Sequence, residues 1–270
     1  MTTSRPPFLS GRRPRVIAHR GFAPGAEGNT LESFERALAA GADLLETDVR
    51  ASLDGVAVLV HDEEVTDERG TRHRIETTRW EELAGLVLPS GERLLPLAEA
   101  LRLLPNARFN IDVKARTAVV PVVEAIRAAG ARDRVLITSF SESRRRAAVR
   151  LLPRVATSAS APRFVAALVG AHLGSPALVR RALRGVDALQ VPERAAGLRV
   201  TEPRILARLR ITGAEIHLWT INDPRRMRAL LELGVDGLVT DRTDLARLAV
   251  DGAPGREDDT RERVGEAPLT

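Results

Sequence analysis

The sequence predicts an α/β protein built as a (β/α)8 barrel, and three observations predict it. Short apolar runs rich in β-branched residues recur along the chain. Stretches with apolar residues three and four apart fill most of the gaps between them, and chemically active side chains collect where the early runs end. The 270 residues suit one such barrel as a single unit, and with 44 % apolar residues they can bury a large core.

Residues 1–13 are polar and rich in proline and arginine, and are expected to be a disordered tail; the same holds for 252–270. Between them, 14–251 form the barrel. Its strands are expected at 16–19, 44–49, 109–113, 135–139, 155–158, 188–191, 216–220 and 237–240. Thr30 is a candidate N-cap for a helix that places Leu31, Phe34, Ala37 and Leu38 on one face, with Gly41 just past its end. Met227, Leu230 and Leu231 before Gly234 repeat that pattern. A ninth run at 56–60 lies too close to the second strand for a parallel crossover, so the two must form an antiparallel hairpin. Asp54-Gly55 is a two-residue turn signal. With that turn, facing residues sum to 109 and His61 sits opposite Asp48; a longer loop shifts this by about a residue.

Composition removes several function classes. There is no cysteine, which excludes disulfides, thiolate metal sites and cysteine nucleophiles. The formal charge is +5, but the arginines are scattered, aromatic residues make up only 3 %, and no nucleic-acid-binding pattern is visible. The first fifteen residues carry no apolar signal core, and no run reaches the roughly 18 apolar residues of a membrane span. A soluble cytoplasmic protein without a stable membrane anchor is the expectation; the sequence leaves its oligomeric state open. Lys114 is the single lysine in a chain that otherwise uses arginine for positive charge, which is either chance or the mark of a position where a planar guanidinium would not fit.

Polar residues at the C-terminal ends of parallel barrel strands are the first candidates for chemistry. The first strand ends in His19-Arg20-Gly21. In the second, period-two alternation puts Glu46 and Asp48 on one side, and in the third it aligns Asn110, Asp112 and Lys114. Three carboxylates at one mouth repel unless a cation lies between them. Glu46, Asp48 and Asp112 offer only hard oxygen donors, which suit one divalent cation, Mg²⁺ or Ca²⁺. Arg20 and Lys114 beside such an ion would hold a phosphate, and His19 and His61 have the pKa range for base and acid. His73, His172 and His217 show no acidic partner at suggestive spacing and read as structural or surface residues. A lone strand-end histidine, or Glu-x-Asp alone, is usually structural; the joint arrangement is what points to chemistry.

The same residues resemble the glycerophosphodiester phosphodiesterase family over roughly 15–250. The likeness rests on His19-Arg20-Gly21, Asn29-Thr30 with Phe34, Gly41-Ala42-Asp43, Glu46-Thr47-Asp48-Val49, Asp54-Gly55 and Val60-His61-Asp62. It continues through Asp112-Val113-Lys114, Ser139-Phe140, Trp219-Thr220-Ile221-Asn222, Asp236-Gly237 and Thr240-Asp241. The resemblance implies a TIM barrel with a small insertion at about 63–92, after the hairpin. It implies His19 and His61 as the general acid/base pair, Glu46, Asp48 and Asp112 as metal ligands, and Arg20 and Lys114 as phosphate ligands, with Trp219 against the substrate. The implied reaction is metal-dependent hydrolysis of a small-molecule glycerophosphodiester to sn-glycerol 3-phosphate and an alcohol, in glycerophospholipid metabolism, with a neighbouring glycerol hydroxyl attacking phosphorus first to give a cyclic phosphate. Two positions depart from the family: Asp112 stands where a glutamate is usual, and Glu27 is displaced by one residue from the Asn29-Thr30 step. Alternatives on the same fold are a lysophospholipase D- or phospholipase C-like enzyme, or a catalytically silent headgroup-binding protein.

Overall fold

The computed structural model describes residues 6–24 and 28–253. After a short 3-10 turn at Pro7–Leu9, the chain enters β1 (Arg15–Ala18), α1 (Leu31–Ala39), β2 (Leu44–Ala51) and the antiparallel β3 (Ala57–Leu59). A small lobe follows, with the β4–β5 ribbon (Glu64–Thr66, Arg72–Arg74) and α2 (Trp80–Gly85). The chain returns through α3 (Leu97–Leu103), β6 (Phe109–Val113), α4 (Val119–Ala128), β7 (Val135–Thr138), α5 (Glu142–Leu151) and β8 (Ala156–Thr157). Helices α6 (Ala161–His172) and α7 (Pro176–Ala182) lead to β9 (Ala188–Val191) and the minor ribbon β10–β11 (Arg194–Ala195, Leu198–Arg199). Helix α8 (Pro203–Leu209), β12 (Glu215–Leu218), α9 (Pro224–Glu232), β13 (Gly237–Thr240) and α10 (Thr243–Asp251) complete the described chain.

The eight parallel strands run β8-β7-β6-β2-β1-β13-β12-β9, and a single bridge between Ser158 and Ala188 brings the two outer strands together. Each strand-to-strand passage carries at least one helix, so the architecture is a TIM barrel. Strand β8 is only two residues long, which is why the seam closes on one bridge. All eight expected barrel strands are present within a residue or two of their expected bounds.

The local signals act as read. Thr30 caps α1 in a reciprocal box with Ser33, each side chain bonding the other's backbone N–H at 3.2 Å. Phe34 and Ala37 are buried, whereas Leu38 at 36 % exposure falls outside the packed face. Met227, Leu230 and Leu231 are all buried on α9.

The N-terminal tail corrects the expectation of disorder for part of its length. Phe8 and Leu9 are 1 % exposed and join Ile17, Leu44, Leu136 and Val239 in an apolar cluster under the barrel. A (β/α)8 barrel is a packed core open at its bottom, so an apolar pair arriving there gains burial that outweighs the polar composition around it. Residues 1–5 and 254–270 of the two tails, and Glu27, lie outside the described residues. His217 is a second correction: it is fully buried, with Nε2 2.8 Å from Glu215, which also takes a two-pronged contact from the buried Arg15 at 2.9 and 3.0 Å. Along a strand, residues two apart share a face, so the acid sits beside the imidazole at a spacing easily overlooked. His73 likewise has partners, Asp67 at 3.1 Å and Glu82 at 3.4 Å.

No helix among the described residues is long and apolar enough to cross a membrane.

Candidate active site

The site begins where β1 ends. Arg20 and Gly21 take positive φ angles of 57° and 87°, turning the chain sharply out of the barrel. A side chain at position 21 would have its Cβ 2.4 Å from Ser33 Oγ, so glycine is required for the approach to α1. Ser33 Oγ in turn lies 3.0 Å from the Arg20 carbonyl oxygen. The helix cap thereby holds the turn in place, and the turn aims the Arg20 backbone N–H at Glu46 Oε2, 3.1 Å away.

Strands β2 and β6 supply the acids. Their register pairs Glu46 with Asn110 and Asp48 with Asp112, so alternation turns all four into the barrel mouth. Lys114 follows β6 immediately, and its ammonium bridges Asp48 Oδ1 at 2.8 Å and Asp112 Oδ2 at 2.7 Å. Arg20 Nε lies 2.9 Å from the other oxygen of Asp48. On the back of β2, Asn29 Oδ1 accepts from the Thr47 hydroxyl at 2.7 Å, tying the β1–α1 loop to the strand.

Burial sets the electrostatics. It pushes the Glu46 carboxyl well above the usual range, and the charges of Asp48 and Asp112 push it further. Burial also raises Asp112, against the opposing pull of Lys114. Burial acts on Asp48 as well, but there Lys114 and Arg20 prevail and its pKa is lowered. Burial pulls Lys114 down, but Asp112 and Asp48 outweigh it and keep it a firm cation.

The hairpin brings His61 to this group, in a register one residue away from the two-residue reading. Val49 faces Leu59, and the Val60 N–H bonds the Asp48 carbonyl oxygen at 2.9 Å, so Val60 and not His61 stands opposite Asp48. The cause is a three-residue loop at 53–55: Gly55 takes φ 85° and its N–H bonds the Ser52 carbonyl oxygen at 3.0 Å. His61 lies just past the strand, its Nδ1 2.7 Å from Asp62. His19 Nδ1 lies 2.7 Å from Asp241, at the end of β13.

All eight residues singled out from the sequence line one cavity of about 250 Å³: His19, Arg20, Glu46, Asp48, His61, Asp112, Lys114 and Trp219. Asn110, Thr138, Phe140 and Gln190 complete much of its wall. Phe140 packs edge-on to Trp219, ring centres 6.1 Å apart, and carries the Lys114 ammonium 5.5 Å from its own centre. A larger cleft of about 720 Å³ shares His19, Arg20 and His61 and runs out between the barrel mouth and the small lobe, past Val65, Leu88, Arg93 and Leu94.

Asp241 and Asp62 are the residues the sequence reading left without a role. Asp62 was visible beside His61 but read equally well as a turn residue. Asp241 lies 222 positions from His19, and its one sequence signal was membership of the Thr240-Asp241 pair.

The donor set fits a hard divalent cation. Asp112 Oδ1 and Asn110 Oδ1 are buried without a hydrogen-bond partner among the described residues, and Glu46 is a carboxylate whose charge is disfavoured until a cation meets it. As they stand, no three histidine or acidic side chains among the described residues are gathered closely enough to grip a metal; the Lys114 ammonium sits between two of them.

Comparison with known proteins agrees with the motifs. Residues 19–245 match the glycerophosphoryl diester phosphodiesterase family model. A probable glycerophosphodiester phosphodiesterase 2 of Mycobacterium tuberculosis is 40 % identical over 234 residues, covering 86 % of this chain and 89 % of the relative. A glycerophosphodiester phosphodiesterase of Caldanaerobacter subterraneus is 28 % identical, covering 84 % and 93 %. Among solved structures, a glycerophosphodiester phosphodiesterase from Agrobacterium tumefaciens superposes with a TM-score of 0.72 at 24 % identity, covering 87 % of this chain and 98 % of that one. An Oleispira antarctica phosphodiesterase, solved with the product sn-glycerol-3-phosphate, superposes with a TM-score of 0.70 at 24 % identity, covering 88 % and 96 %. The chain belongs to the glycerophosphoryl diester phosphodiesterase family and is a phosphoric diester hydrolase.

Proposed function

We propose that the chain hydrolyses glycerophosphodiesters to sn-glycerol 3-phosphate and an alcohol, with His19 and His61 moving the protons and Glu46, Asp48 and Asp112 holding one Mg²⁺ or Ca²⁺. The observation that carries this is the shared cavity: two imidazoles, each with a carboxylate at Nδ1, face the same space as a guanidinium, an ammonium and three acids. The Oleispira antarctica phosphodiesterase bound to sn-glycerol-3-phosphate shares the fold and supports the choice of product.

In this reading the chain's own groups do the work. A carboxylate at Nδ1 favours the tautomer with its proton there, which leaves Nε2 of each ring free to accept one. One imidazole, neutral at Nε2, then takes the proton of the glycerol hydroxyl that attacks phosphorus, while the other, entering the step protonated at Nε2, gives that proton to the departing alcohol. Water next opens the cyclic phosphate with the two roles reversed, yielding sn-glycerol 3-phosphate and restoring both rings. Arg20 and Lys114 bind the phosphoryl oxygens, where charge grows in the transition state. The smaller cavity receives the glycerophosphoryl part, and the larger cleft, which shares both histidines, receives the alcohol. When bound, the cation would supply a further positive charge to those oxygens.

Purified protein given glycerophosphocholine should release sn-glycerol 3-phosphate in a coupled assay, with a cyclic phosphate detectable by phosphorus NMR during turnover. EDTA should abolish the activity and Mg²⁺ or Ca²⁺ should restore it; turnover in rigorously metal-stripped protein would remove the cation from the proposal. His19→Ala and His61→Ala should each lose at least about a hundredfold in kcat, and full activity in either would exclude that ring from the proton transfers.

A further inference from the structure

Two sequence motifs meet beside His19: Trp219-Thr220-Ile221-Asn222 after β12 and Thr240-Asp241 at the end of β13. The two strands are parallel neighbours, with His217 beside Gly237, so the residues that leave them meet at the rim next to His19. Asp241 Oδ1 lies 2.7 Å from His19 Nδ1. Its other oxygen accepts from Asn222 Nδ2 at 2.7 Å. Asn222 Oδ1 accepts twice, from the Asp241 backbone N–H and from the Thr240 hydroxyl, both at 2.9 Å. The Thr240 hydroxyl is itself oriented, because it accepts from the Arg242 N–H at 2.9 Å.

These contacts leave the amide one consistent orientation. A carboxylate can only accept and a backbone N–H can only donate, so Asn222 must turn its NH₂ to Asp241 Oδ2 and its oxygen to the peptide. The asparagine therefore grips the acid by both its side chain and its backbone. The counterpart pair is built differently: Asp62 follows His61 directly in the chain and is 78 % exposed, and its ring partner is 42 % exposed.

We propose that Asn222 and Asp241 are positioning residues for His19, a fixed Asn-Asp-His relay that sets its tautomer and steadies the imidazolium formed when it takes a proton. A carboxylate behind an imidazole does this by orienting the ring and favouring its charged form. A half-exposed aspartate free to change rotamer would do so only part of the time, and Asn222 removes that freedom. The relay rests on the reading that His19 transfers a proton.

The other charged or titratable groups that share a cavity with the His19 ring are Arg20, Glu46, Asp48, His61, Asp112 and Lys114 and, on the cleft side, Asp62, Glu64, Arg93 and Arg242. None is altered by Asp241→Asn, so the change isolates the carboxylate. In the metal-loaded, full-length enzyme, Asp241→Asn should cut kcat by about tenfold to a hundredfold with KM within about twofold. Asn222→Ala should lose roughly three- to tenfold in kcat, since Asp241 keeps its charge but loses the contacts that fix its rotamer. Asn222→Asp should be worse than Asn222→Ala, since it sets a second carboxylate against Asp241. Nitrogen NMR of labelled histidine should show His19 protonated at Nδ1 in the wild type and a mixture of tautomers in Asp241→Asn. Unchanged kcat in Asp241→Asn, with His19→Ala inactive, would overturn the relay alone. A loss in Asp241→Asn with His19 still protonated at Nδ1 alone would reduce Asp241 to a structural role and overturn it too. Undiminished turnover in His19→Ala would instead overturn the catalytic reading, and the relay with it.

Discussion

Lys114 shows how a single residue organises the mouth of this barrel. Its ammonium separates two carboxylates that the β2–β6 register places side by side, a task that suits a compact point charge better than a flat guanidinium. Its rarity in the sequence was a usable signal, and so was the alternation that put Glu46 with Asp48 and Asn110 with Asp112. The relay behind His19 was not legible in the same way, because Asn222 and Asp241 acquire meaning only when β12 and β13 are set next to β1. Glu46 carries a consequence that can be measured. Its carboxyl has a higher pKa folded than unfolded, so between those two values the folded state binds more protons, and stability falls as pH rises through that window. Glu46→Gln removes the penalty. In EDTA at pH 8 the variant should be more stable than wild type by at least about 1 kcal/mol, roughly 2–4 °C in Tm, and Mg²⁺ or Ca²⁺ should no longer raise its Tm. A lower Tm in EDTA would show that the carboxylate is not under strain.

At the scale of elements, the turns decide which side chains reach the site. The strands and helices were legible because burial imposes periods of two and 3.6 on the sequence. The hairpin register was not, since Asp54-Gly55 serves a two-residue turn and, with Leu53, a three-residue one equally well; only the hydrogen bond from Gly55 to Ser52 separates them. The β1–α1 turn is less forgiving. Gly21→Ala would place a methyl against Ser33 at a positive φ, and should cost about 2 kcal/mol or more in stability. Because the same turn aims Arg20 at Glu46 and Asp48, kcat should fall as well, under conditions where the variant is still folded. Gly55→Ala meets nothing within 4 Å, so it should cost only the backbone strain and leave kcat near wild type; parity between the two variants in urea denaturation and turnover would refute this account of the turn.

For the whole molecule, the bottom of the barrel matters as much as its mouth. Phe8 and Leu9 close it from a segment whose proline and arginine content spoke for disorder, and two apolar residues among polar ones are too weak a pattern to announce a buried turn. Removing residues 1–10 should lower stability by several kcal/mol, since each lost core side chain costs about 2–5. The truncated protein should keep its Mg²⁺ response if it is assayed while folded, because the site lies at the opposite end of the strands. An unchanged Tm would mean that the plug contributes nothing.

The small lobe after the hairpin has its own apolar centre, in which Val65, Ile75, Leu83, Leu88 and Leu94 pack on Val58 and Val60, while the acids and His19 stand on barrel strands or at their ends and His61 follows the hairpin strand. On the proposed reading, phosphorus chemistry is written mostly in the barrel strands and choice of alcohol mostly in the lobe. On that reading, sequence drift in the lobe would retune which headgroup is accepted while the proton-handling side chains keep their places, which would make this kind of barrel a ready source of enzymes that share one reaction and differ in diet.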